Sequence, residues 1–266
     1  MHRHRAQDGH VREAADRAPQ AFAPSWLGSP FTLALRLQRA AIGYWTAVFL
    51  AVGLVFGAMT GGMAETDLPL FAEADFGRAW ISLMVFTGSL YIGVFAVLSV
   101  VGLRAEETRG RIGPVLAGPT GRVAWLGSSL LVTALAVVML SAVYGAALGL
   151  GAALSTGDPG LLGEVVRASL IRVPEPLVLL AVPAALLGLA PRAVGAAWAV
   201  LVYSGFVTVL GSYAGLPAWV SDTSLLSHLP WHPLGQFAPV ATVLLTALAA
   251  VLTGLALYGL RRRDLT

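Results

Sequence analysis

Neither cysteine nor lysine occurs anywhere in these 266 residues. Without cysteine there are no disulfides, no thiolate metal sites and no cysteine nucleophile, and nothing follows about compartment. The missing lysine excludes more. A P-loop needs the lysine of G-x-x-x-x-G-K-[ST] to reach the nucleotide phosphates. If ATP drives this protein, another chain must bind it. Charge of either sign is also scarce, at 12% of residues, where a soluble domain carries about 25%. An H-E-x-x-H zinc motif, a dinucleotide fingerprint and a G-x-S-x-G elbow are all absent.

What is present is apolar. Hydrophobic residues make up 57% of the chain and mean hydropathy is +0.77, the composition of an all-α integral membrane protein. A helix needs about 20 apolar residues to cross the hydrocarbon core. Parsed that way, the sequence predicts six transmembrane helices at Trp45–Met63, Trp80–Leu103, Val123–Ala153, Val173–Leu189, Val194–Tyr213 and Phe237–Leu260. With the N-terminus inside, only Arg78, Arg167 and Arg172 of the seventeen arginines fall outside, as the positive-inside rule requires. Both termini are therefore expected on the cytoplasmic side of a multi-pass protein. Lipid is a necessary partner, and nucleic acid is not expected to be one.

Residues 1–28 carry Arg3, Arg5, Arg12 and Arg17 but lack an apolar core of roughly 7–15 residues, so they do not read as a signal peptide. They read as a disordered basic tail ahead of one membrane domain at 29–266. Ser29 and Pro30 then form a helix start. Thr32, Arg36 and Arg39 share one face, and Leu33, Leu37, Ala40 and Tyr44 another. This predicts an amphipathic helix at the interface before the first span.

The densest pattern lies between two charge-free runs, at Arg104–Trp125, RAEETRGRIGPVLAGPTGRVAW. Glu107 and Arg111 stand at i,i+4, and Glu106 and Arg109 at i,i+3, pairs that favour a surface helix by roughly 0.2–0.5 kcal/mol each. Gly113-Pro114 and Gly118-Pro119 turn the chain. The result is a compact charged knuckle between two spans.

This stretch resembles the cytoplasmic loop of ABC-2 type permeases, the membrane subunits of bacterial ATP-binding cassette exporters. The resemblance rests on Glu106, Glu107, Gly110, Arg111, Leu116, Ala117, Pro119, Arg122 and Trp125. It continues through Gly188 to Arg192, Trp198 and Arg261 to Asp264, and is strongest toward the second half of actinobacterial polyketide-antibiotic exporter permeases of the tetronasin type. The chain departs from that pattern at Gly118-Pro-Thr-Gly121 and near Gly113, where an acid is usual. The resemblance implies a plasma-membrane exporter subunit moving lipophilic antibiotics or drugs. It implies a separate ATPase that holds ATP and Mg, with no cofactor on this chain, and a second six-helix half, identical or distinct. Glu106, Glu107, Arg109, Gly110, Arg111, Leu116, Pro119 and Arg122 would then form the loop that couples to the ATPase.

Other features carry alternatives. Gly53, Gly57 and Gly61 share one helix face, where small residues allow close approach either within the chain or between subunits. Gly145 and Gly149 repeat the device. Glu175, between Pro174 and Pro176, is the candidate acid at membrane depth, placed near the outer interface and close to Arg172. The stretch 214–236 contains Trp219, Trp231 and three prolines but only one charge, Asp222. It reads as a half-inserted outer helical loop between the fifth and sixth spans. Glu106-Glu107-x-x-x-Arg111 also resembles the first motif of intramembrane CAAX-type proteases. Those enzymes need histidines in their spans, and His2, His4, His10, His228 and His232 lie outside all of them. His228 and His232 lack a third ligand, so no metal site is expected. An exporter subunit, with no enzymatic activity of its own, is the reading, and a non-transporting assembly or immunity factor is the alternative.

Overall fold

The computed structural model describes residues 29–64, 76–108, 121–210, 217, 219–220, 223–229 and 237–263, and the regular structure among them is entirely helical. Its helices are α1 (Pro30–Ala58), the short α2 (Thr60–Ala64), α3 (Phe76–Thr108), α4 (Arg122–Thr156), α5 (Gly160–Ile171), α6 (Pro174–Leu189), α7 (Ala196–Leu210) and α8 (Pro239–Arg263). A 3-10 turn, Pro191–Ala193, joins α6 to α7. Five stretches are long and apolar enough to cross a membrane: Pro30–Met63, Phe76–Thr108, Val123–Thr156, Gly160–Leu189 and Pro239–Arg262. Helix α7 is apolar too but has only 15 residues, about 22 Å at 1.5 Å per residue.

The Ser29 side chain accepts from the Phe31 amide and Pro30 opens α1, as the cap signal predicts. The interfacial helix and the first span expected as two elements are one continuous helix. Gly43 is the single weak helix former at the expected junction, and one glycine costs a helix only about 1 kcal/mol. Contacts on both sides of that junction hold α1 straight against α4. Gln38 donates to the Ser129 carbonyl and accepts from the Thr133 hydroxyl, while Gly53 and Gly57 lie on Ala147, Leu148 and Gly151. The two helices therefore run parallel.

Helix α4 ends at Gly157, whose φ of 76° is the left-handed C-cap conformation. The chain turns back there, and the Asp158 side chain accepts from the Gly160 amide to start α5. Gly145 then meets Val166 and Ser169, and Gly149 meets Leu162 and Val165, so α5 descends antiparallel along α4. This corrects the fourth span. It was expected to begin at Val173, but its upper part is α5, and α6 continues it beyond a bend at Arg172 and Val173. Prolines 174 and 176 lack the amide protons that would continue the ladder unbroken, which explains the bend.

At the centre, Tyr144 is 1% exposed. Its hydroxyl donates to the Met84 carbonyl of α3 at 2.8 Å, and its ring stands edge-on to Phe49 of α1. Gly88 makes room for that ring, since a Cβ there would fall 2.1 Å from it. One aromatic side chain thus locks three helices. Helix α6 packs along α3, with Leu179 over Gly93, and along α8, with Gly188 against Ala256.

Candidate functional site

Two places concentrate chemistry. The first is the end of the bundle where α3 finishes and α4 begins. Helix α3 stays helical through Arg104, Glu106, Glu107 and Thr108, five residues past the span expected to stop at Leu103. Glu107 pairs with Arg104 at 3.6 Å, one turn back, a pairing that the forward-looking spacings to Arg109 and Arg111 did not anticipate. Glu106, on the neighbouring face, lines a cavity between α1, α3 and α4. Arg109, Gly110, Arg111, Leu116, Ala117 and Pro119 lie outside the described residues, and Arg122 is placed only as the first residue of α4. Trp125 is buried beneath this end.

The second place is a fully buried ion pair. Arg172 is 4% exposed and Glu175 0%. The guanidinium grips the carboxylate with both an Nη2–Oε1 contact of 2.7 Å and an Nε–Oε2 contact of 3.2 Å. Such forked geometry is the strong form of the Arg–carboxylate bond. Ser89 of α3 donates to the same carboxylate at 2.7 Å. The Phe86 ring lies 5.2 Å from the guanidinium carbon, within cation–π range. Two carbonyls also meet the guanidinium: those of Leu226 and Leu229 accept from Arg172 at 3.4 and 3.5 Å. Segment 223–229 is therefore folded down onto the pair. It is held there by Leu226 and Leu229, both buried, and by a Ser224 hydroxyl bonded to the Ser204 carbonyl and to the Thr208 hydroxyl of α7.

The depth of this pair corrects two expectations. Ser89 lies eleven residues beyond Arg78 and fifteen before Arg104 on one straight helix. At 1.5 Å per residue that is about 16 and 22 Å. Glu175 thus sits inside the bundle, well away from either end of α3, and Arg172 is buried rather than exposed. The cause is the added length of α5 above the pair. Sequence reasoning placed Glu175 close to Arg172, without deriving the pairing from their spacing. Nothing in the sequence signalled Ser89 or the two loop carbonyls.

The glycine stripe also resolves. A Cβ at Gly53 would fall 2.8 Å from Ala147, one at Gly57 would fall 2.2 Å from the Leu148 carbonyl oxygen, and one at Gly61 would fall 2.6 Å from that of Ser155. All three neighbours belong to α4 of the same chain. That face is filled from within, so these glycines are not open to another subunit. His228 is exposed, His232 lies outside the described residues, and no group of three metal-ligating side chains occurs among the described residues.

An ionisable pair clamped inside apolar helices is a candidate functional site by default. Residues 27–261 match the family described as multidrug efflux system permease Rv1217c, C-terminal domain. The chain belongs to this permease family. A relative, the multidrug efflux system permease protein Rv1217c of Mycobacterium tuberculosis (strain ATCC 25618 / H37Rv), is 32% identical over 263 residues. The alignment takes in 94% of this chain and 48% of the relative; the chain spans about half the relative's length. The matched region of this permease includes both the end of α3 and the buried pair.

Proposed function

We propose that this permease is the membrane half of an ATP-driven exporter of the ABC-2 type, in the bacterial plasma membrane, moving lipophilic antibiotics or drugs. The family match carries the reading. Six spans with both ends in the cytoplasm fit it, with α7 in the fifth. A second six-helix half completes the path, its place on faces such as that of α8, where Val240, Val243, Leu244, Leu248 and Val251 are exposed. Hydrolysis belongs to a separate ATPase that holds ATP and Mg, in keeping with a lysine-free chain; this chain is not an enzyme and takes no cofactor. The knuckle from Glu106 to Arg122 is the surface through which the ATPase pushes.

Glu107→Ala tests the coupling role. The Arg104–Glu107 pair is partly exposed, and exposed pairs contribute about 0–1 kcal/mol, so abundance and thermal stability should hardly change. Truncating one partner of a charge pair buried in an interface costs roughly 2–5 kcal/mol of binding. ATPase co-purification and transport at matched permease levels should therefore fall by an order of magnitude or more. Glu65→Ala and Asp67→Ala, between α2 and α3, should leave both unchanged. Normal ATPase capture and efflux by a Glu106→Arg/Glu107→Arg chain would reduce the knuckle to a solvated turn.

Topology has its own test, helped by a background free of cysteine. Thr66→Cys and Asp158→Cys should react with an impermeant maleimide in intact cells, and Thr108→Cys only after lysis. Labelling of Thr108→Cys from outside would invert the orientation.

A further inference from the structure

Beside the last turn of α3 lies a cavity of about 250 Å³, walled by α1, α3 and α4. Its walls are aromatic and apolar, with Trp45, Phe95 and Trp125 the largest contributors. Trp45 stands edge-on to Phe95, with ring centroids 6.0 Å apart. Three neutral polar side chains reach the lining, and each is already bonded within the protein. Gln38 uses its amide nitrogen on the Ser129 carbonyl and its oxygen on the Thr133 hydroxyl. Ser99 donates to the Phe95 carbonyl, and Ser129 to that of Trp125.

Glu106 is different. It is the one charged residue in the described lining. Arg104, which would be its natural neutraliser, is paired with Glu107 instead, and Arg36 and Arg39 are exposed and do not line the cavity. Among the described residues Glu106 has no ion pair or hydrogen bond. A half-buried carboxylate with no partner among the described residues, at one end of an aromatic and apolar cavity, suits a molecule with a cationic head and an apolar body. The carboxylate supplies a full charge in a medium less screening than water, and Trp45 and Phe95, deeper along the cavity, supply apolar surface for the rest of the molecule.

We infer that this cavity binds the charged head of a lipophilic organic cation taken from the adjoining membrane leaflet. The assignment rests on the exporter reading and narrows its substrate class at one site. An anion is disfavoured by Glu106. Occupancy would be felt one residue from Glu107, at the element proposed to meet the ATPase.

The test uses the full chain, purified without any ATPase, in phosphatidylcholine nanodiscs, with empty nanodiscs subtracted. Tetraphenylphosphonium and tetraphenylborate have the same shape and opposite charge. Radiolabelled tetraphenylphosphonium should bind saturably and at least tenfold more tightly than tetraphenylborate. Glu106→Gln should weaken the cation tenfold or more and erase the preference, while Glu106→Asp keeps it. Trp45→Leu should weaken both ions together. Equal binding of the two ions, or a Glu106→Gln chain that binds tetraphenylphosphonium as before, would overturn the inference. Full displacement of the cation by phosphatidylethanolamine in the nanodisc would also overturn it, making the cavity a lipid headgroup site. Because no ATPase is present, this result stands apart from the exporter reading: ATPase capture with no cation binding sinks only the cavity assignment, and cation binding with no ATPase capture sinks only the exporter.

Discussion

Arg172→Met should destabilise the permease by about 3–5 kcal/mol, the usual cost of leaving one member of a buried ion pair unpaired. The arginine's loss would strand the Glu175 carboxylate at 0% exposure with only the Ser89 hydroxyl for company. It would also release the Leu226 and Leu229 carbonyls from their donor. Single hydrogen bonds between membrane helices average only about 0.6 kcal/mol, so the stranded charge should dominate. Arg172→Met combined with Glu175→Met should recover most of the loss, since apolar replacement of a whole buried pair is often neutral. The exposed Arg78–Glu164 pair, closed at 2.6 Å between α3 and α5, is the comparison. Arg78→Met should cost less than about 1 kcal/mol. The measurement is denaturant or thermal unfolding in one detergent for all four chains. Similar losses for Arg172→Met and Arg78→Met would mean that the interior pair is more solvated than its burial implies. Transport separates structure from function in the double variant. If the strap formed by 223–229 must stay on Arg172, that chain folds but exports poorly.

A second large effect is expected at Gly57. Its Cβ would fall 2.2 Å from the Leu148 carbonyl oxygen and 2.9 Å from both the Ala152 nitrogen and the Gly151 Cα. All three are backbone atoms that cannot rotate away, so the helices must separate. Overpacking costs typically 1–3 kcal/mol, against a gain of up to about 1 kcal/mol when alanine replaces glycine in a helix. Gly57→Ala should therefore destabilise by about 1–2 kcal/mol and Gly57→Leu by more. Gly43→Ala, on the same helix with nothing within 4 Å, should be neutral or slightly stabilising. The same unfolding assay reads all three. If Gly57→Leu instead splits an oligomer while the single chain keeps its stability, the stripe serves assembly and the α1–α4 packing is not what needs it.

Composition and pattern by themselves determined the class of this protein. A chain with so few charges and such long apolar runs has no soluble core to build, because helices are the way these runs satisfy their backbone without water. The Ser29-Pro30 start was legible because it is a local signal, complete within a few residues. Helix boundaries were legible only approximately. Hydropathy marks where a helix is apolar, whereas α3 remains helical through Glu106 and Glu107, where it is not.

Tertiary structure alone decided the rest, because the deciding partners are far apart in sequence. Whether Gly53, Gly57 and Gly61 faced the same chain or another depended on where α4 ran, ninety residues away. Whether Glu175 lay near an end of the bundle or well inside it depended on α5 being stacked above it as part of the same descent. An i,i+3 spacing could bring Arg172 to Glu175, but only the folded chain could add Ser89 from α3 and two carbonyls from 223–229, which together allow the pair to be buried at all. Glu106 and Glu107 read alike in the sequence. Their separate surroundings, a cavity for one and Arg104 for the other, come from the hundred-degree turn between neighbours on a helix and from what α1 and α4 place on each side.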